Sequence, residues 1–245
     1  MSTSQSIESL DSSESRADVS VLIPVGSDEF LAECVASINA QVVLPRELLF
    51  FVDGRNHWDD TFEKIVWGAN PINILIVPSD KVGVARAWND LLGRARGEVI
   101  AFLDADDLWE PNYLKLQIES LKTWEADSGG AAAMSVAGVT HFLSPGVLAS
   151  EIPPNIEKVL GIQKTIAVPS SIVTTRKTFD LVGNFDESFP CSADVDWVLR
   201  ANHAGVRRLD LNVPLVQKRV HRRNLSLNQT DLAEEIMRVI RKNRP

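Results

Sequence analysis

Four short apolar runs, each closed by a turn residue and followed by a different kind of sequence, constrain this chain more than any other feature. Val19-Ser20-Val21-Leu22-Ile23-Pro24-Val25 stops at Gly26, and Glu47-Leu48-Leu49-Phe50-Phe51-Val52 stops at Asp53-Gly54. Ile72 to Val77 and Val99-Ile100-Ala101-Phe102-Leu103 complete the set. Strands that are apolar on both faces must be buried on both faces, which a parallel sheet flanked by helices achieves. Helix-patterned stretches lie where that architecture needs them. One runs from a cap at Asp28 to about Gln41, and another from about Val84 to Ala95, stopped by Gly97. The expected fold class is α/β, with a mostly parallel, Rossmann-like central sheet and helices on both faces.

The second half is less regular. Ala131 to Val139 and Val213 to Val220 read as strands, and Thr165 to Thr175 as a strand or extended segment. Asp194 to Ala204 and Asp231 to Arg241 read as helices. The proline-bearing stretch from Leu143 to Ile162 reads as a mobile excursion. Residues 1–18 are rich in Ser and acids with little to bury, so a disordered tail is expected. No apolar stretch suits a leader peptide, and none reaches the roughly 18 residues of a membrane span. A cytoplasmic location is therefore expected. The two cysteines, Cys34 and Cys191, fit no disulfide framework or zinc spacing. A net charge of −8, from 25 basic and 33 acidic residues, argues against wholesale nucleic-acid binding.

Ligands gather beyond the carboxyl ends of strands in an open parallel sheet. Asp104-Ala105-Asp106-Asp107 lies there, directly after a buried strand. Three carboxylates within four residues repel one another. A divalent cation relieves that repulsion and bridges naturally to a diphosphate. The plainer alternative is an acidic turn that caps a helix starting near Pro111.

The ordered motifs resemble glycosyltransferase family 2. The resemblance is carried by Val19 to Val25, Asp53-Gly54, Gly83-Val84-Ala85-Arg86-Ala87-Trp88-Asn89 and Ala95 through Asp107. It continues through Val182-Gly183-Asn184-Phe185-Asp186-Glu187 and Asp194-Val195-Asp196-Trp197-Val198-Leu199-Arg200, and ends with Arg219 to Ser226. That resemblance implies a GT-A fold over 19–228, with a nucleotide-binding half (19–107) fused to an acceptor-binding half (108–228) and a C-terminal helix over 229–245. It also implies inverting transfer of a sugar from a nucleotide-diphosphate donor, a UDP-sugar, to a hydroxyl acceptor of unspecified identity.

Roles follow residue by residue from the same resemblance. Pro24 and Val25 line the base pocket and Asp53 contacts the base. Asp104 approaches the ribose beside Ala105, and Asp106 with His221 holds Mn²⁺ or Mg²⁺. Asp107 supports that site, and Arg86 is a diphosphate candidate. Asp194 matches the general base, with Asp196 as runner-up and Trp197 as a wall of the acceptor site. Capping of the following helix is the plainer role for Asp194. The loop after Asp53, Arg55-Asn56-His57-Trp58, departs from the family pattern, as does Trp88 where Arg is common. Arg222 and Arg223 meet either phosphate or only solvent.

Two other functions compete. A non-catalytic nucleotide-sugar-binding module would keep the fold without turnover. A sugar-phosphate nucleotidyltransferase would need a glycine- and base-rich loop after the first strand, where Gly26-Ser27-Asp28-Glu29 stands. A dinucleotide-dependent dehydrogenase lacks its G-x-G-x-x-G. The apolar stripe Leu232, Ile236, Val239 and Ile240 on the last helix could dock on the domain itself, on a second copy or on a membrane surface.

Overall fold

The computed structural model describes residues 16–27, 29–53, 64–65, 73–79, 83–224 and 229–244. The expected tail up to residue 15, the Asp28 cap and the loop containing His57 lie outside the described residues, as does the side chain of Asp53. Nine strands and seven α-helices are described. The nucleotide-side strands are β1 (Arg16–Val25), β2 (Leu44–Asp53), β3 (Asn73–Ser79) and β4 (Val99–Phe102), with helices α1 (Leu31–Asn39) and α2 (Val84–Arg94) between them. Then come β5 (Leu108–Trp109), α3 (Tyr113–Ser128), β6 (Ala133–Leu143), α4 (Pro154–Glu157), β7 (Lys164–Thr165) and β8 (Ile172–Thr175). The chain finishes with α5 (Arg176–Val182), α6 (Ala193–His203), β9 (Arg207–Val220) and α7 (Gln229–Lys242). β1 begins inside the stretch expected to be tail, because Arg16 and Ala17 pair with Leu44 and Pro45.

The strand order is β3-β2-β1-β4-β8-β6-β9-β5, with β7 paired to β6. β3, β2, β1 and β4 are mutually parallel, as the apolar runs predict. Beyond β4 the sheet is mixed rather than mostly parallel. β8 is antiparallel to both β4 and β6, and β9 is parallel to β6. The two antiparallel steps cancel, so β9 runs in the same direction as β4. This brings the residues after both strands to one edge of the sheet.

Alternating side chains feed two cores. Val21, Ile23, Leu48 and Phe50 pack with α1 and α3 on one face. Leu22, Leu49, Phe51 and Phe102 pack with α2, α5, α6 and Val239 of α7 on the other. The last helix therefore docks on its own domain. No helix among the described residues is long and apolar enough to cross a membrane. The expected excursion between Leu143 and Ile162 holds a 3₁₀ turn (Ala149–Glu151) and α4.

Gly97 sits where the chain turns from α2 into β4. A Cβ there would lie 2.7 Å from the Ser20 backbone nitrogen, a contact no side chain tolerates. The approach serves a buried network. Gly97 N–H donates to Ser20 Oγ, whose hydroxyl donates to Glu47, and the Arg96 and Gly97 amides also donate to Glu47. These bonds satisfy a carboxylate that is otherwise costly to bury between parallel strands.

Candidate active site

The acidic loop leaves β4 through Leu103, whose N–H still bonds Leu22 O of β1, and then turns, with the Asp107 amide bonding Asp104 O. Asp107 is not a helix cap. Its carboxylate is fully buried and accepts from Ser170 Oγ (2.7 Å), Lys218 Nζ (3.0 Å) and the Arg219 amide (3.0 Å). α3 starts instead at Asn112, which makes no side-chain cap bond. Ser170 ties the loop a second time by accepting the Asp104 N–H. Lys218 reaches Asp104 as well, at 3.3 Å. Its ammonium thus stands between two of the three carboxylates and offsets the repulsion that made the cluster conspicuous.

Burial raises Asp104 to about 7 against the opposing pull of Lys218, and burial raises Asp107 too. Asp106 behaves differently. Burial pushes it up, but its hydrogen bond to His221 and the charges of Lys218 and His221 outweigh that and hold it below the usual carboxylate range. Asp106 Oδ2 meets His221 Nε2 at 2.9 Å and Asn224 Nδ2 at 3.1 Å. Asn224 also accepts the His221 amide, and Arg223 N–H approaches His221 Nδ1. Beneath the loop, Arg219 is buried between the rings of Phe30 and Phe142, bonding Asp106 O and Glu33.

One ligand atom from each of Asp104, Asp106 and Asp107 lies within 4.8 Å of the others. The donor chemistry suits a divalent cation. Asp106 and His221 offer a carboxylate oxygen and an imidazole nitrogen to the same point and are both partly exposed. Asp107 also orders the loop through its three internal bonds.

Asp194 sits in the first turn of α6 and lines a small apolar pocket with Phe102, Pro169, Ile172, Phe185 and Trp197. Burial raises its carboxyl to about 6, opposed by nearby backbone N–H groups and by Lys218. Pro169 lines this pocket and the next residue, Ser170, bonds the acidic loop, which ties the two together. Asp196 is turned away and fully buried, bonded to Arg200, Lys242 and Asn243. Asp196 does not line the pocket that Asp194 lines.

With this geometry in hand, residues 20–179 match the family described as Glycosyl transferase family 2. The chain belongs to that family. The Escherichia coli UDP-Glc:alpha-D-GlcNAc-diphosphoundecaprenol beta-1,3-glucosyltransferase WfgD is 31% identical over 104 residues, 42% of this chain and 40% of that protein. The chain spans between 32% and 40% of the length of the curated relatives it matches. Staphylococcus aureus TarS (residues 1–349) in complex with UDP-GlcNAc superposes with a TM-score of 0.66 at 16% identity, covering 91% of this chain and 66% of that one. The mannosyltransferase PcManGT from Pyrobaculum calidifontis, in complex with GDP-Man and Mn²⁺, gives 0.65 at 17% identity, covering 93% and 64%. The fold of this family 2 chain is thus the GT-A fold expected from its sequence.

The structure brings Asp104, Ala105, Asp106, Asp107 and His221 together at one sheet edge. Pro24 is half-buried at the end of β1, whereas Val25 packs into the core. Asp53 ends β2 beside Ser79. Arg86 pairs with Glu187. Trp88 packs on Phe102 and Phe185, and Trp197 on Phe179 and Phe185, so both are core residues, and Trp197 also lines the pocket beside Asp194. Trp109 stacks on Tyr113. Arg222 and Arg223 bond Glu151 and Glu29. Lys218 and Ser170 escaped the sequence reading. The available signal for Lys218 was a charge inside the strand run Val213–Val220, where burial demands a partner.

Proposed function

We propose that this family 2 chain transfers a sugar, with inversion, from a UDP-sugar to a hydroxyl acceptor, using a divalent metal at Asp106 and His221 and Asp194 as general base. The observation that carries the reading is the 2.9 Å meeting of Asp106 and His221, residues far apart in sequence, at the edge where Asp104 also stands. TarS with UDP-GlcNAc and WfgD with its UDP-Glc donor support the choice of nucleotide. PcManGT with GDP-Man and Mn²⁺ supports a metal of this type and makes GDP-sugars the necessary comparison.

Bound Mn²⁺ or Mg²⁺ would supply Lewis-acid stabilisation of the departing diphosphate. The chain's own residues do the rest. Asp106 and His221 would hold the cation, and Asn224 bonds both of them. Asp104, on the same loop, is the candidate partner of the ribose. Asp194 takes the proton of the acceptor hydroxyl, and its raised affinity for protons makes it a better base than an exposed aspartate. Asp53 is the candidate partner of the base, and Pro24 lies on the neighbouring strand, paired with Phe51.

A panel of UDP- and GDP-sugars with Mn²⁺ or Mg²⁺, read as nucleotide release and sugar transfer, tests the proposal. Transfer that is lost in Asp106→Ala and in Asp194→Asn supports it. Full transfer in Asp106→Ala, or with divalent metal removed, would overturn the metal role. Tight donor binding without transfer or hydrolysis would favour a binding module, and pyrophosphate release from a nucleoside triphosphate a nucleotidyltransferase.

A further inference from the structure

The start of α6, which carries Asp194, is not capped by its own sequence. Ser192 is the N-cap residue, yet its hydroxyl makes no cap bond and is buried without a partner. The cap comes from α7 instead. Glu235 Oε1 accepts the Cys191 N–H at 3.0 Å and the Ser192 N–H at 3.2 Å, while Oε2 accepts Cys191 again at 3.1 Å. The glutamate is itself buried. A carboxylate at a helix N-terminus satisfies orphan amides and complements the helix dipole.

α7 holds this region in a second place. Lys242 bonds Asp196 and Asp186, each at 2.8 Å, and Asn243 bonds Asp196 at 2.9 Å. Between the two grips, Val239 is fully buried in the same core as Trp197. Residues 191 to 196 are therefore fixed at one end by Glu235 and at the other by Lys242 and Asn243. Asp194 lies between these anchors, two residues after the capped Ser192.

We propose that Glu235 is a positioning residue for the transfer reaction: by capping α6 from outside, it sets where the Asp194 carboxylate stands in its pocket. The inference rests on Asp194 being the base, as proposed above. It makes the C-terminal helix part of the catalytic apparatus while leaving donor binding to the other half of the domain. A small misplacement of a reacting group costs rate without costing substrate affinity.

The test compares Glu235→Gln, Glu235→Asp and Glu235→Ala, with Asp194→Asn as reference, using the donor that the panel selects. Gln keeps the oxygen that receives both amides, whereas Asp keeps the charge but falls short by one methylene. Expected are near-native kcat for the Gln variant, a loss of about a hundredfold for Asp and Ala, and an unchanged donor KM throughout. Should Ala fail to fold, the contrast of Gln with Asp decides. Native kcat in Glu235→Asp, a Gln variant as impaired as Asp, or donor affinity falling in step with kcat would overturn the inference. Asp194→Asn separates the two ideas. If it is inactive while Glu235→Asp is fully active, positioning alone fails. If it transfers sugar normally, the base reading fails and this inference with it.

Discussion

Lys218 Nζ lies 3.0 Å from Asp107 Oδ2, so the carboxylate that most needs neutralising receives its counter-charge from a strand 111 residues later. The pair is largely buried, with Asp107 wholly so. Removing one member of such a pair leaves an uncompensated charge and costs about 3–5 kcal/mol. Lys218→Met should therefore lower the melting temperature of the metal-free protein sharply. Mn²⁺ should restore more stability to the variant than it adds to the native chain, because the cation then takes over the neutralising role. Thermal unfolding with and without Mn²⁺ checks this. Equal metal-induced shifts in both proteins would contradict it.

Asn224 touches both proposed metal ligands without being one. It donates to Asp106 Oδ2 and accepts the His221 amide. Residues that orient ligands in this way affect metal affinity by about 10–100-fold. Asn224→Ala should weaken Mn²⁺ binding by that factor while leaving the melting temperature of the metal-free chain little changed. Calorimetric titration with Mn²⁺ alone gives the answer, and native affinity in the variant would show that Asn224 only closes the turn after β9.

The first half of the fold was legible because β1, β2 and β4 are buried on both faces, and burial writes itself as continuous apolar runs. In the second half the expected strands and helices fall on β6, β8, β9, α6 and α7, but the antiparallel steps and the early start of β9 did not show, since β8 spans only Ile172–Thr175 and β9 mixes Asp210, Gln217, Lys218 and Arg219 among its apolar residues. Those polar residues in β9 obey tertiary partners, which no local pattern reveals. The site divides in the same way. Asp104 to Asp107 stood out as charge density, and His221 through its motif. Ser170 is an ordinary serine until the fold sets it between Asp104 and Asp107. Asp196, two residues after Asp194, was the runner-up for the same role, and its bonds to Lys242 and Asn243 came into view only with the docking of the C-terminal segment.

Gly97 offers a test of the packing that delivers β4, and so the acidic loop, to its place. Alanine would put a Cβ against backbone atoms of Val19 and Ser20, which cannot swing aside as a side-chain tip can. Overpacking of this kind costs about 1–3 kcal/mol, and displacing Gly97 also disturbs the Ser20–Glu47 network. Gly97→Ala should lower the urea midpoint accordingly. Gly93→Ala is the control, since its Cβ would meet nothing within 4 Å, and a helix-interior alanine is favourable. Equal effects of the two substitutions would remove the steric argument.

The protonation of Asp194 links activity and stability with opposite signs. Burial raises its carboxyl to about 6. A base acts in its ionised form, so kcat should climb about tenfold per pH unit up to pH 6 and level off above it. Stability runs the other way. A group with a raised folded-state value favours folding while protonated, and loses that contribution as pH rises from the ordinary carboxylate range through 6. The native chain thus carries a partly buried charge at neutral pH that Asp194→Asn lacks. The variant should melt higher than the native protein at pH 7.5, and the difference should vanish by about pH 4, where both are neutral at this position. Its transfer rate should fall by about 10²–10⁴-fold at pH 7.5, and the gap to the native enzyme should narrow below pH 6 as the native base is protonated. Thermal unfolding and kcat measured across pH 4 to 8 on the same two proteins test both signs together. A lower melting temperature for the variant at pH 7.5 would show that the ionised carboxylate stabilises the fold through its bonds to the first amides of α6.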